Sequence, residues 1–505
     1  MGANRGERSA RTTGAMLAVL VVVASAAGCN GSDSNEVPQR FAPLAQAVEA
    51  ERVSLGAPGV AVAVVEKGQV TFAKGFGSKD PTAAAGAPVE PTTLFRIGST
   101  QKALTAIALL QTVQAGAVDL DRPITSYLPE FHLSQTPEPV AQITARHLLT
   151  HTSGLHDYLE IAAPADEATD AALAGFLTGR YADIGYVQSP PGAFHAYSNP
   201  GYMLAGMIAE TVTGVPYRQL MHDRVLAMLG MNRTFFLPSE VIADGDYALG
   251  RTCDPAADAN CQNPPGIGPV VHPDSYDNPW GRPAGYAWSS VLDMAKLAAF
   301  LVHGDERVLG RDLTAAMTSP QVPIHESGGL TSYGYGVASS PGIRLASSQT
   351  QVDYYALRMI GHDGALSGYA ANVSCLPERD FCFITLASGD GAFFISSLVT
   401  AIRTLVDLPA PSTGPDLAPR LDRLDAYAGN YVDPFALGPI QITRMGNSLS
   451  AFAPTLDPAN TIPLTPTLVD NFAAADGTPV TFIPDANGTY TYLYSRPFVA
   501  VRQAP

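Results

Sequence analysis

The chain has 505 residues, 46% of them hydrophobic and 15% charged, a balance that builds a large buried core and excludes a disordered polymer. The length accommodates two domains more comfortably than one. A net charge of −16 argues against nucleic acid as a partner.

Arg5, Arg8 and Arg11 precede an apolar stretch, Ala15 to Ala27, that is too short for a comfortable membrane span. This order reads as an export signal over residues 1–28. It ends Ala26-Ala27-Gly28-Cys29, which resembles a bacterial lipobox with Ala where Leu is usual. Cys29 is therefore a candidate lipidation site, and a conventional signal peptide cleaved nearby is the alternative. Residues 29–40 would form a tether, and the lipid at Cys29 would be the only membrane contact of an exported, envelope-located protein. The five cysteines divide into Cys29 and two candidate disulfides, Cys253 with Cys261 and Cys375 with Cys382. No Cys-x-x-Cys or His-x-x-x-His spacing accompanies them, so no structural zinc is expected.

Val60 to Val65, then Glu66-Lys67-Gly68-Gln69, then Val70 to Gly75, reads as a β-hairpin that opens a sheet. From about 99 to 310 the pattern is mainly helical and broken by Pro/Gly loops. The first of these helices is apolar from Ala103 to Val113 and is preceded by Ser99-Thr100-Gln101-Lys102. A serine three residues before a lysine shares its helix face, so the amine can reach the hydroxyl. Of the five lysines, only Lys102 has serine at that offset. To act as a base near neutrality, its amine must lose roughly 3 pKa units, about 4 kcal/mol of environment. Burial can supply that and turn Ser99 into an acylating nucleophile. A helix-capping serine beside a solvated lysine is the plainer reading of these four residues.

Two more clusters follow. Tyr197-Ser198-Asn199 is delivered by a Pro/Gly loop to the apolar segment Met203 to Val212. A phenol there can relay a proton, and an amide can hold a carbonyl. A second Tyr-x-Asn, Tyr276-Asp277-Asn278, lies in a Pro-rich loop without a following helix and reads as loop only. His362-Asp363-Gly364 precedes two strand-like runs, Ala370 to Leu376 and Phe381 to Ala387, where glycine lets a substrate lie close to a strand edge. Gly391 to Val406 reads as a closing amphipathic helix. Leu408 to Leu421 is rich in Pro and polar residues and reads as a linker. After it, short strands with Asp476-Gly477 and Asn487-Gly488 turns describe a small barrel or sandwich. Nothing in that segment suggests chemistry, and its expected role is packing or substrate gating.

Taken together, these clusters resemble the penicillin-recognising serine hydrolases: class C beta-lactamases, D-alanyl-D-alanine carboxypeptidases, D-aminopeptidases and related esterases. Leu148 to Leu155, Tyr197 to Gly206, Ser289 to Lys296 and Tyr333 to Gly336 are similar to signature segments of that family. Tyr427 to Tyr431 resembles the opening of the lipocalin-like β domain that often follows it. The resemblance implies an α/β fold, an antiparallel sheet sandwiched by helices beside a helical subdomain, over 41–407. A linker at 408–421 and an all-β domain over 422–505 would follow.

It also implies roles. Ser99 would form the acyl-enzyme, Lys102 and Tyr197 would share the base work in either order, and Asn199 would orient the substrate amide or the lysine. The N–H groups of Ser99 and Ala365, beside Gly364, would make the oxyanion hole. No metal or organic cofactor would be required. His362 stands where many beta-lactamases carry lysine. Asp363 stands where lactam and D-alanine binders usually carry Thr or Ser, and there it would repel an anionic substrate if it faced the cleft. The expected partner is a peptide, an ester or another small molecule, with peptidase action of the D-alanyl carboxypeptidase kind, or esterase action, ahead of beta-lactamase action. A non-catalytic receptor and an envelope scaffold are the other readings.

Overall fold

The computed structural model describes residues 37–82, 86–157, 169–252, 268–275, 277–346 and 351–504. Cys29, Cys253, Cys261 and Tyr276 lie outside them. The opening hairpin is β1 (Gly59–Glu66) and β2 (Gln69–Gly77). Lys67 and Gly68 at its turn have φ of +52° and +73°. Two such residues in sequence make the tight turn whose twist matches that of the strands.

The other strands of the main sheet come much later. They are β3 (Val322–Pro323), β4 (Ser332–Tyr333), β5 (Ala338–Ser340), β6 (Met359–Leu366), β7 (Tyr369–Leu376) and β8 (Phe381–Ser388). Their spatial order is β2-β1-β8-β7-β6-β5-β4-β3, with every pairing antiparallel. The long returning connection thus places β8 beside β1. Cys375 and Cys382 face each other in the β7/β8 register and form a disulfide.

Among the described residues, five helices are longer than the rest, α1 (Ala42–Ser54), α2 (Lys102–Gln114), α3 (Asn199–Thr213), α4 (Val291–His303) and α5 (Ile395–Leu405), and of these α1 and α4 pack directly on the sheet. β1 is apolar at almost every position because both of its faces are covered. Ala61, Ala63 and Val65 join the main core with Leu297 and Leu301 of α4. Val60, Val62 and Val64 alternate to the opposite face, and α1 and α5 pack on one another. The helix expected over Ala103 to Val113 is α2. It is buried on nearly all sides, as a helix that is apolar all round must be, and it packs against α3. Two details differ from expectation. Ser99 lies in a 3₁₀ turn, Gly98–Gln101, that runs into α2. His362, Asp363 and Gly364 lie in a further strand, β6, that precedes the two expected ones, β7 and β8.

The C-terminal segment closes an eight-stranded antiparallel barrel. Its first strand, Gly429–Asp433, pairs with its last, Phe498–Arg502. Tyr427, Tyr431, Phe472, Phe482 and Leu493 fill its core. Residues 40–505 form one compact unit. Within it, Ile483, Tyr494 and Val499 of the barrel pack on Phe194 and Ala196. Phe435 stacks on Tyr186 with ring centres 4.0 Å apart. Among the described residues, no helix is long and apolar enough to cross a membrane.

Candidate active site

The nucleophile turn is held by close backbone contact with the sheet. Gly98 has φ +51°, and a Cβ there would sit 2.6 Å from the Ala365 nitrogen. A Cβ on Gly364 would sit 2.1 Å from the Ile97 carbonyl oxygen and 3.2 Å from the Ser99 nitrogen. Only glycines permit this approach. It brings the Ser99 and Ala365 backbones to the mouth of one cavity of about 530 Å³.

Lys102 is fully buried at the start of α2, one turn after Ser99, whereas Ser99 is partly open to the cavity. The Lys102 Nζ lies 3.0 Å from Ser99 Oγ, and it donates to Asn199 Oδ1 at 2.8 Å and to the Ala284 carbonyl at 2.7 Å. Burial pushes this amine well below the usual lysine range; Asp157 pulls it back up, and Arg496 pushes it further down. A neutral amine has two N–H donors and one lone pair. Asn199 and Ala284 take the two donors, so the lone pair is left for Ser99.

Tyr197 reaches the same serine with its hydroxyl. Burial raises its phenol above the usual range, opposed by Arg496 and by the hydrogen bond with Ser99. The triplet is placed by the start of α3. Ser198 caps that helix by accepting from the Gly201 N–H at 3.3 Å. His151 Nδ1 accepts the Ser198 N–H at 3.1 Å, and its ring lies 4.0 Å from that of Tyr197. His151 has φ +55°, a left-handed conformation that costs a non-glycine residue about 1–2 kcal/mol. It is buried, and burial holds it well below the usual histidine range.

Strand β6 forms the other wall. His362 Nδ1 lies 2.6 Å from the Asp363 carbonyl, which can only accept, so this nitrogen carries the proton. Its Nε2 then accepts from the Tyr333 hydroxyl at 2.8 Å. Burial pushes His362 down to about 3, so the ring is neutral at physiological pH. Asp363 faces the cavity and accepts from Asn372, its cross-strand neighbour on β7. Loss of surrounding water raises its carboxyl above the usual range, and the Asn372 hydrogen bond opposes that. Met203, Trp280, Tyr286 and Phe393 give the cavity its apolar walls. Among the described residues, no cluster of His, Cys, Asp and Glu has the makeup of a metal site.

The structure brings Ser99, Lys102, Tyr197, Asn199, His362, Gly364 and Ala365 to this one cavity and its floor. It corrects the reading of the C-terminal segment as chemically silent. Arg496, at the turn of the last barrel hairpin, lines the cavity with its guanidinium carbon 4.3 Å from the centre of the Tyr197 ring. It is bound to Asp157, which is fully buried. Sequence reasoning missed both residues. His151 sits within the Leu148 to Leu155 segment already singled out, but nothing marked Arg496, which is 339 positions from Asp157.

Residues 44–400 match the Beta-lactamase family profile. Protein flp of Staphylococcus aureus strain MW2 is 23% identical over 361 residues, covering 69% of this chain and 63% of flp. The putative penicillin-binding protein PbpX of Bacillus subtilis strain 168 is 32% identical over 185 residues, 36% of this chain and 42% of PbpX. The chain thus matches less than two thirds of the length of these curated relatives. In three dimensions it is similar to the octameric penicillin-binding protein homologue from Pyrococcus abyssi, with a TM-score of 0.57, 24% identity and coverage of 91% of this chain and 99% of that one. SurE in complex with D-Leu gives a TM-score of 0.63 at 22% identity, with coverage of 92% and 99%. At these identities the two structures share a fold with this chain.

Proposed function

We propose, for a chain that belongs to the beta-lactamase family of penicillin-recognising serine hydrolases, that it hydrolyses an amide or ester through an acyl-enzyme on Ser99. The observation that carries this reading is the Lys102 amine, buried, 3.0 Å from Ser99 Oγ and hydrogen-bonded to Asn199 and the Ala284 carbonyl. Ser99 Oγ attacks the substrate carbonyl carbon, and its proton passes to the Lys102 lone pair. The N–H groups of Ser99 and Ala365 receive the developing oxyanion, each worth about 3 kcal/mol in the transition state. As the tetrahedral species collapses, the bond to the leaving group breaks. The Tyr197 phenol, kept protonated by burial, donates its proton to the departing oxygen or nitrogen and recovers one from Lys102. Water then attacks the ester of Ser99 and gives a proton to the same pair; the bond to Ser99 Oγ breaks, the pair returns that proton to Oγ, and the acid leaves.

Two features favour an esterase, or a peptidase whose substrate has no carboxylate at the cleavage site, over a beta-lactamase, and they count equally against a D-alanyl carboxypeptidase. His362 is neutral, so it offers no cation to a substrate carboxylate. Asp363 faces the cavity and repels one. The apolar walls suit an acyl group with a hydrocarbon side chain. Export, and a lipid anchor at Cys29, are part of the same proposal, supported by the order of basic, apolar and cysteine residues at the N-terminus.

Mass spectrometry of the protein after mixing with a penicillin, and with p-nitrophenyl esters and D-amino-acid amides, tests the reading. Acyl adducts on the Ser99 peptide from esters or amides, with penicillin left intact, are expected. Rapid consumption of penicillin would make the protein a beta-lactamase. No adduct and no product from any of the three classes would leave a receptor that retains the pocket.

A further inference from the structure

A chain of hydrogen bonds runs from the barrel to the nucleophile. Arg496 donates from Nε at 3.0 Å and from Nη2 at 2.7 Å to Asp157 Oδ2. Asp157 Oδ1 accepts the Asn199 N–H at 2.8 Å. The side chain of Asn199 accepts from Lys102 Nζ, and Lys102 lies against Ser99. We propose that Arg496 is a positioning residue which the barrel lends to this site: paired with buried Asp157, it holds Asn199 in register and offsets the carboxylate charge that lies beside the Lys102 amine. This rests on the acyl-transfer reading above.

Two alternatives fit less well. As an anchor for an anionic substrate, the guanidinium is weak, because its charge is spent on Asp157 and two of its donors point there. As mere docking glue it is superfluous, because the apolar contacts of Ile483, Tyr494 and Val499 already seat the barrel. The pair lies instead at the reacting groups, with Arg496 over the Tyr197 ring and Lys102 Nζ 4.9 Å from the centre of the same ring. The other groups around Lys102 do not replace it. His151 and His362 are held neutral by burial, and the Tyr197 and Tyr202 phenols are kept protonated by it. Asp363 is a second carboxylate on the cavity, but it is tied to Asn372 and bound to no arginine in its own hydrogen bonding. The charge that Asp157 places on Lys102 is opposed by Arg496.

The test reads Lys102 directly. The full chain carries five lysines, so ¹³C-labelled lysine gives five Cε signals to follow against pH, with Lys102 assigned by Lys102→Met. kcat/KM for p-nitrophenyl butyrate is measured over the same range. In Arg496→Gln, the unpaired Asp157 is expected to raise the Lys102 midpoint by about one pH unit, with a roughly tenfold loss of kcat/KM on the acid limb. Arg496→Lys should restore most of the loss. Arg496→Gln with Asp157→Asn should return the midpoint close to that of the wild type, because the charge is gone and an acceptor for the Asn199 N–H remains. Asp157→Asn alone, which keeps the proposal testable if Arg496→Gln does not fold, should lower the midpoint. An unmoved midpoint in Arg496→Gln, or a double variant no better than the single one, would overturn the proposal. So would a rise confined to KM. A midpoint that moves as expected in a protein that turns over no ester or amide would sink the hydrolase reading and leave the pairing intact.

Discussion

Gly364→Ala isolates the contact between strand β6 and the nucleophile turn. Gly364 has no positive φ, so alanine adds no backbone strain. Its Cβ would meet the Ile97 oxygen at 2.1 Å and the Ile97 carbonyl carbon at 3.0 Å, both backbone atoms with no rotamer to escape into. Relief needs a retreat of the strand by roughly 1 Å, because packed backbone does not compress. Such overpacking costs about 1–3 kcal/mol of stability. The same retreat carries the Ala365 N–H away from the carbonyl oxygen. Loss of one oxyanion donor is worth about 3 kcal/mol, or about 10²-fold in kcat. The assay is the p-nitrophenolate burst on mixing with an ester, beside a urea melt of the same preparation. Gly175→Ala is the control. It lies mid-helix with nothing within 4 Å of an added Cβ, and it should gain up to about 1 kcal/mol of stability without any change in the burst. A Gly364→Ala protein that retained kcat within twofold would refute the assignment of this strand edge to the transition state.

Other perturbations address the remaining parts. Lys102→Met removes the lone pair aimed at Ser99 and should slow acylation by about 10²–10⁴-fold; stopped-flow rates within tenfold of the wild type would remove the lysine as base. Asp363→Ser should raise kcat/KM for a carboxylate-bearing ester over its neutral analogue by about tenfold or more, the scale of a charge 4 Å away at the edge of solvent. No change in that ratio would mean that Asp363 does not set charge preference. His362 keeps its neutral form down to about pH 3 when folded, against 6.5 for an ordinary histidine. The unfolded chain therefore takes up the proton first, and stability is lost as pH falls through that interval. His362→Gln should flatten the fall of Tm between pH 6.5 and 4, whereas an unchanged slope would mean that other groups carry the acid sensitivity.

The chemistry of the nucleophile was legible in the chain because it is local. Ser99 and Lys102 are three residues apart, and helical geometry alone brings them together. Tyr197 and Asn199 announce themselves through the Pro/Gly loop that must end where α3 begins. The opening hairpin was equally readable, since Lys67 and Gly68 stand between two apolar runs with no room for another turn. Asp363 was ambiguous for a physical reason: on a strand the face alternates with every residue, so only the β6–β7 register shows that its carboxyl meets Asn372 opposite, at the edge of the cavity it lines.

What the sequence determined by itself, then, is the set of groups that react and the periodic elements that carry them, because each depends on neighbours a few residues away. Whether Lys102 is neutral, which tautomer His362 holds and where Asp363 points are decided by burial and by partners contributed from distant segments. Arg496 is the clearest instance. In the chain it is one basic residue in a hairpin turn of a β segment without apparent chemistry. Closure of the barrel and its docking on Phe194 and Ala196 bring it 339 positions back to Asp157. No local pattern encodes that meeting, because it depends on the packing of two separately built cores.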